Sequence, residues 1–381
     1  MKNNSKKIKL FIVVNVDWFF LSHRRQIAVA ALKAGYDVTI IAKDTGCRKQ
    51  IEEYGLRFIN LPMDRNNGKP LQDYAAIQFL YKLFRQVKPD IVHNVGLKVV
   101  ILSGIAALLA HVKSVVSALS GLGITFSPER DNSMTTKVLV RIMKYVHSGH
   151  DIMAIFQNSD DMNIFENKNI INPPHSVKIR GSGVDLRKFA YSEDPISSRI
   201  KIILTARMIV DKGILVLAEA AKIMRDEYNT KIQFILCGGL DDNPKALSKK
   251  TLESIEDGEY IKWLGHRTDI VQLLQSSNIV VLPSFYKEGL PKSLIEAAAM
   301  GRPIVTTDSV GCRDAVVDGK SGFLVPINNP EILADKLKLL IDNREMRVAF
   351  GINARFLAES TFSIENVINS HLEIYRNLSG Q

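Results

Sequence analysis

Short apolar runs alternate with segments of helical length along almost the whole chain. In the first half the runs are IKLFIVV (8–14), DVTIIA (37–42), LRFINL (56–61), DIVHNV (90–95), SVVSALS (114–120) and DIMAIFQ (151–157). A second series follows: KIILTAR (201–207), IQFILCGG (232–239), YIKWLG (260–265), NIVVLPS (278–284), RPIVTT (302–307) and GFLVP (322–326). Continuous rather than alternating apolar character predicts strands covered on both faces, and the intervening helical segments make βαβ units around parallel sheets. The polar, aperiodic stretch VDLRKFAYSEDPISSR (184–199), which carries Pro195, reads as a domain linker. The expected architecture is α/β, with two doubly wound Rossmann-like domains, 1–183 and 184–361, facing a cleft. A C-terminal helix over 362–381, with Ile364, Val367, Ile368, Leu372 and Tyr375 on one face, is expected to cross back to the first domain. Ligands of such sheets bind at the carboxyl ends of the strands, so the chemistry is sought there.

Composition changes this picture in three places. At 381 residues the chain exceeds what one hydrophobic core supports, which agrees with two domains. The start, MKNNSKKIKLFIVVNVDWFFL, imitates a secretion signal, but Asn15 and Asp17 break the apolar run and no small-residue cleavage site follows. A buried first strand is the expectation there. The other long apolar run, VVILSGIAALLA (99–110), is too short to cross a bilayer and reads as a buried helix. Cys47, Cys237 and Cys312 are scattered, without disulfide-framework or zinc spacing, and the cytoplasm is the expected compartment.

Charge is uneven. Residues 1–190 hold 27 Lys and Arg against 15 Asp and Glu, and the remainder holds 23 against 25, so the net +10 belongs to the first half. Such a field favours an anionic partner: a lipid surface, a phosphorylated substrate or nucleic acid. A solvated face with no partner is the alternative. No helix-turn-helix, RNP or zinc-finger pattern accompanies the charge, so nucleic acid is not expected.

The candidate chemistry is concentrated in SFYKEGLPKSLIEAAAMG (284–301), where a strand ends and a helix begins with Pro291 in its first turn. A helix mouth offers unpaired N–H groups and a positive dipole end, which suits a phosphate. Gly289 lets the backbone approach closely, Glu288 precedes the phosphate site and can accept from sugar hydroxyls, and Glu296 lies two turns along. At 1.5 Å per residue the two carboxylates are ~12 Å apart along the axis, about the span from a sugar hydroxyl across a diphosphate to a ribose. An ordinary Glu-rich surface helix is the bland reading of either glutamate alone. A second cluster, TARMIVDKG (205–213), sets Thr205 and Arg207 at the end of the domain's first strand and Lys212 at the start of the following helix. These two cations suit a pyrophosphate and the charge that grows on a departing nucleotide.

With these residues the second half resembles the nucleotide-binding domain of the retaining glycosyltransferases of the GT-B fold, family 4, whose hallmark is Glu, seven residues, Glu. IRGSGVDLRKF (179–189), CGGLDDNPKAL (237–247), LGHRTDIVQLL (264–274) and SVGCRDAVVDGKSGFLV (309–325) are similar to bacterial enzymes that move N-acetylgalactosamine from UDP to an undecaprenyl-diphosphate-linked aminosugar. In the first half the similarity rests on SHRRQIAVAAL (22–32) and LSGLG (119–123). The resemblance implies that Arg207 and Lys212 grip the diphosphate and Glu296 the ribose. Glu288, with the backbone at Gly289 and Leu290 ahead of Pro291, would hold the donor sugar, and Gly265, His266 and Arg267 would lie beside the uracil. It implies no metal and no cofactor beyond the UDP-sugar donor, in keeping with the absence of an Asp-x-Asp pair. Many family members carry a histidine after the strand corresponding to 114–120; this chain has Ser120, Gly121, Leu122 and Gly123 there.

For the acceptor side the candidates are His23, Arg24, Arg25, His93, Gly121 and Gly123, with His93 and His23 placed to face the cleft or serving as structural histidines. The implied acceptor is a polyprenyl-diphosphate-linked sugar. The expected location is the cytoplasmic face of the membrane, where SMTTKVLVRIMKYVHSG (133–149) would lie on an anionic surface. Its Val138, Leu139, Ile142, Met143 and Val146 form an apolar stripe beside Lys137, Arg141 and Lys144. A core helix with a basic rim is the other reading. A soluble acceptor and a UDP-N-acetylglucosamine 2-epimerase-like activity remain as alternatives for the enzyme.

Overall fold

A computed structural model describes residues 7–63, 70–122, 126, 133–149, 151–241 and 243–380. The chain divides into two units, one formed by Met1–Ser182 together with Ile364–Gln381, the other by Gly183–Ser363. All twelve apolar runs become strands. In the first unit these are β1 (Lys9–Val16), β2 (Asp37–Lys43), β3 (Arg57–Asn60), β4 (Ile91–Val95), β5 (Ser114–Leu119) and β6 (Asp151–Phe156). They are joined by a short β7 (Ser176–Lys178) that no apolar run announces. The second unit holds β8 (Ile200–Thr205), β9 (Ile232–Cys237), β10 (Ile261–Trp263), β11 (Ile279–Leu282), β12 (Ile304–Thr307) and β13 (Gly322–Val325).

Among the described residues the sheet orders are β3-β2-β1-β4-β5-β6-β7 and β10-β9-β8-β11-β12-β13, with parallel pairing throughout. Both are doubly wound, and the order reverses between β1 and β4 in one and between β8 and β11 in the other. Every residue of β4 and β5 is buried, as expected of central parallel strands with helices on both faces. One face, with Phe11, Val13, Val92 and Val115, packs on helices Pro70–Val87 and Leu97–Ala110. Gly104 lets helix Met134–Val146 press on the latter, since a Cβ there would stand 2.3 Å from a Val146 methyl.

The other face carries Leu10, Ile12, Val14 and Val116 under helices Arg25–Lys33 and Ile364–Ser379. The C-terminal helix thus belongs to the first unit. It buries Ile364, Val367, His371, Ile374 and Tyr375, leaving Ile368 and Leu372 partly covered.

Three expectations are corrected here. First, 184–199 is no free linker, because it is fastened along the second unit. Val184 N–H donates to Phe362 O (2.8 Å), and the buried Arg302 donates to the carbonyls of Ser192 and Glu193 (both 2.9 Å). Asp194 accepts from Asn278 (2.8 Å) and Arg347 (3.1 Å). Remote arginines satisfy this backbone, which local composition does not reveal. Second, the apolar stripe of 133–149 is divided. Met143 and Val146 are buried and Leu139 is partly buried against the core, while Met134, Val138 and Tyr145 stand exposed beside Lys137, Arg141 and Lys144. Third, of the two readings open for His93, facing the cleft or serving as a structural histidine, the structure takes the second. It sits mid-strand between Ile12 and Val116, fully buried, sharing a 2.6 Å hydrogen bond through Nδ1 with the Tyr375 hydroxyl and stacking on His371 at 5.6 Å. The C-terminal helix seals it, which removes it from the acceptor candidates.

Burial holds both imidazoles in their neutral form. His371 is pushed down to about 3 by burial and then by Arg24, and His93 falls well below the usual value through burial, His371 and Arg24. In the unfolded chain both take a proton near pH 6.5, so the unfolded state gains protons first and stability falls as pH drops below 6.5. The loss is at most about 1.4 kcal/mol per pH unit for each histidine. Melting temperature should therefore decline from pH 7 to pH 5, and less steeply in His371→Leu; parallel curves for the two proteins would refute the assignment.

Candidate active site

The second unit's switch point is built by backbone contact between the loops after β8 and β11. Asp211 O accepts from Phe285 N–H (3.0 Å), Tyr286 N–H (3.1 Å) and Ser284 Oγ–H (3.1 Å). Gly213, with φ +75°, passes so near the other loop that a Cβ would lie 2.1 Å from Pro283 O. The loop after β12 closes on the same place, where a Cβ on Gly311 would meet Gly289 O at 2.3 Å and Glu288 O at 2.6 Å. These contacts bring Lys212 and Glu288 into an ion pair, with side chains only 12% and 13% exposed. Ser284 Oγ also lies 3.2 Å from this carboxylate, so its one hydrogen is shared between Asp211 O and Glu288, and the Lys212 ammonium lies 5.8 Å from the Tyr286 ring centre.

At the carboxyl ends of β8, β9 and β10 in the same unit is a cavity of ≈ 250 Å³ lined by Thr205, Arg207, Gly238, Gly239, His266, Arg267, Ser293 and Glu296 among others. Among the described residues Thr205 Oγ1 is buried and has no partner. Arg207 reaches Asp241 at 3.1 Å, and Arg267 forks onto Asp269 with bonds of 2.8 and 2.6 Å, which raises the guanidinium's already high pKa. Glu296 comes from helix Lys292–Ala299, one turn beyond its start, with Pro291 as the N-cap residue. The helix therefore begins after the Gly289–Pro291 segment, and the ~12 Å axial spacing does not apply, because Glu288 lies in the preceding loop. Burial pushes the Glu296 carboxyl up, opposed by Lys292 at 3.7 Å and by Lys188. The result is a cavity lined by an acid and two arginines, in the unit whose switch point also holds the buried cation–carboxylate pair. A larger cavity of ≈ 480 Å³ lies at the amino ends of β1–β3, the end of a doubly wound sheet that ligands do not use.

The structure thus gathers Thr205, Arg207, His266, Arg267 and Glu296 about one cavity. Gly265 (φ +65°) ends the loop before them, and its carbonyl accepts from Gly238 N–H at 2.9 Å. Gly289 and Leu290 lead into the helix. Four participants escaped the sequence reading. Ser293 stands one turn before Glu296, the interval that places two side chains on one helix face. Gly238 leaves no room for a Cβ, 1.7 Å from Ala206 O, while Asp241 holds Arg207 and Gly311 supports Glu288.

In the first unit, His23, Arg24 and Arg25 follow β1 at its carboxyl end. His23 Nδ1 bonds Ser22 Oγ (2.6 Å) and its ring stacks on Phe19 at 4.3 Å. Arg25 donates to the Tyr54 hydroxyl (2.8 Å) with its guanidinium 5.0 Å over that ring. Arg24 turns inward to Ser120 Oγ at 3.3 Å. Gly121 (φ +103°) follows β5, and Gly123 lies outside the described residues.

Two doubly wound units, the second with this acid-and-cation site at its switch point, define a two-domain α/β architecture with a candidate ligand site at the carboxyl ends of its strands. Compared with known proteins, residues 199–343 match the family described as Glycosyl transferases group 1, and 9–158 match Glycosyl transferase 4-like. The two matches take in most of the chain, which belongs to these glycosyltransferases of the GT-B fold. It is 27% identical over 345 residues to the N,N'-diacetylbacillosaminyl-diphospho-undecaprenol alpha-1,3-N-acetylgalactosaminyltransferase of Campylobacter jejuni, covering 87% of this chain and 89% of that one. It is 26% identical to the UDP-Gal:alpha-D-GlcNAc-diphosphoundecaprenol alpha-1,3-galactosyltransferase of Escherichia coli, covering 89% of each. The fold is shared with Anabaena Alr3699/HepE, solved in complex with UDP-glucose, at TM-score 0.77 and 17% identity over 97% of this chain and 100% of that one.

Removing one member of a mostly buried ion pair strands the other and costs about 3–5 kcal/mol, whereas a half-exposed pair is worth ~0–1 kcal/mol. Lys212→Ala should therefore lower the melting temperature far more than Arg207→Ala, and adding Glu288→Gln to Lys212→Ala should recover part of the loss. Equal shifts for the two single variants would contradict the buried pair.

Proposed function

We propose that the protein is a retaining, metal-independent transferase that moves an N-acetylhexosamine from a UDP-sugar to a sugar carried on undecaprenyl diphosphate, at the cytoplasmic face of the membrane. The observation that carries this reading is the joint placement, at one switch point, of Glu296 and Arg207 on a single cavity and of Lys212 against Glu288. In the reaction the bond between the sugar C1 and the β-phosphate oxygen breaks and one to an acceptor hydroxyl forms. The acceptor's proton ends on the departing phosphate. Lys212, Arg207 and the mouth of helix Lys292–Ala299 supply the positive charge that the leaving UDP needs, so no step calls for a divalent ion. Glu296 accepts from the ribose hydroxyls, and Glu288 is within reach of the donor sugar once the ligand displaces its lysine. The Campylobacter and Escherichia relatives, whose names specify undecaprenol-linked acceptors, and the UDP-glucose complex of the Anabaena protein support the choice of substrates.

Losing a charge-assisted hydrogen bond costs about 1.5–3 kcal/mol, so Glu296→Ala should weaken UDP binding ten- to a hundred-fold. Calorimetry with UDP, followed by turnover of a UDP-sugar panel with a short-chain polyprenyl-diphosphate sugar, tests the whole scheme, and EDTA should leave turnover intact. Wild-type UDP affinity in the variant would sink the site. Activity that dies with chelator and revives with manganese would sink the metal-independent mechanism, and epimerised UDP-sugar without acceptor would favour the epimerase.

Membrane association is proposed through the outward face of helix Met134–Val146. Among the described residues no helix is long and apolar enough to cross a membrane. On this helix exposed Met134, Val138 and Tyr145 sit among Lys137, Arg141 and Lys144, a combination that lies on anionic lipid with about 1 kcal/mol per basic residue. Wild type should sediment with anionic vesicles at low salt and be released at high salt, whereas a variant with glutamate at 137, 141 and 144 should stay in solution and still bind UDP. Equal partition of both would exclude this helix, and no vesicle binding by either would favour a soluble acceptor.

A further inference from the structure

Among the described residues the buried guanidinium of Arg24 has no carboxylate within ion-pair distance. Its Nη1 donates to His23 O (3.2 Å) and its Nη2 to Ser120 Oγ (3.3 Å), and its Nε has no partner among the described residues. Burial pulls its pKa down to about 10, so the charge is held where water does not solvate it. A buried, unmatched cation is costly unless an anion completes it. The structure offers one route by which its field reaches a ligand. Ser120 is half-buried at the carboxyl end of β5, and its Oγ accepts a second bond from Gln157 Nε2, also at 3.3 Å. A serine hydroxyl has two lone pairs and one hydrogen. With both lone pairs engaged, one of them by a cation, the O–H is left as a polarised donor. Gly121 follows with φ +103°, a backbone conformation that residues with a side chain rarely adopt.

We infer that Ser120 is the anion-reading residue of the first unit, donating its hydroxyl hydrogen to a phosphate oxygen of a diphosphate-bearing substrate, with Arg24 and Gln157 as positioning residues behind it. Arg24 then acts through Ser120 and does not touch the phosphate. This deepens the proposed function and rests on it for which substrate carries the diphosphate: the lipid-linked acceptor or the UDP-sugar.

The test uses the full chain in a background of Arg207→Ala, Asp241→Asn, Lys212→Ala and Glu288→Gln, which removes two cations of the second unit's switch point together with the carboxylates they pair with. Inorganic pyrophosphate should still raise the melting temperature of this protein. Adding Ser120→Ala should abolish the shift and Ser120→Thr should keep it. Arg24→Gln should weaken the shift and Arg24→Lys preserve most of it, each measured against that variant's own ligand-free melting. No pyrophosphate shift in the background, or the same shift with Ser120→Ala, would overturn the inference. In the otherwise wild-type enzyme, Ser120→Ala should raise one KM about ten-fold with kcat nearly unchanged. A rise for the acceptor names the acceptor's diphosphate, a rise for the UDP-sugar names the donor's, and no rise for either speaks against the assignment. A wild type that ignores polyprenyl-diphosphate acceptors would defeat the proposed function, while the pyrophosphate titration would still decide the role of Ser120.

Discussion

The carbonyl oxygen of Asp211 receives three donors from the loop after β11, and the chemistry of the second unit depends on that junction. Lys212 and Glu288 are far apart in sequence and sit on loops that follow different strands. They meet because β8 and β11 are neighbours at the point where strand order reverses, and because Gly213 and Gly311 let three loops pack backbone to backbone. A side chain at either glycine would have to displace a carbonyl, and both have positive φ, which side chains disfavour. The cation and the carboxylate are therefore placed by rigid main chain, the kind of support that holds a polar constellation to the tolerance group transfer needs.

Buried arginines show how differently the two units use charge. Arg302 and Arg347 are enclosed in the second unit, but carbonyls of Ser192, Glu193, Leu340 and Ile341 and the carboxylate of Asp194 receive their N–H groups. Their task is to fasten 192–194 to the body of the unit. Arg24 in the first unit is equally enclosed, yet its partners are one carbonyl and one hydroxyl. A charge left so poorly matched in a low-dielectric setting exerts a field over the carboxyl end of its sheet, the end at which doubly wound folds take ligands.

Much of this protein could be read from its residues. Parallel strands covered on both faces must be apolar along their length, so twelve strands stood out as continuous runs, and Thr205, Arg207, Lys212, Glu288 and Glu296 stood out because they follow such runs. β7 did not, since three residues at a sheet edge carry no pattern. The amphipathic face of the C-terminal helix was legible as well, but His371 was not recognisable as part of it, because a histidine contributes no apolar signal until its burial is known.

The sequence by itself determined the strands other than β7, the amphipathic helices and the polar residues that end them, because those properties depend on the spacing of neighbours along the chain. Tertiary structure alone decided which strand ends are adjacent, and so that Lys212 pairs with Glu288 and Arg24 with Ser120. It also decided that His93 is sealed beneath Tyr375, and that the apolar stripe of Met134–Val146 is divided between core and surface. Each of these outcomes turns on contacts between residues remote in sequence. Hydrophobic periodicity records that a face is buried, and it does not record what buries it.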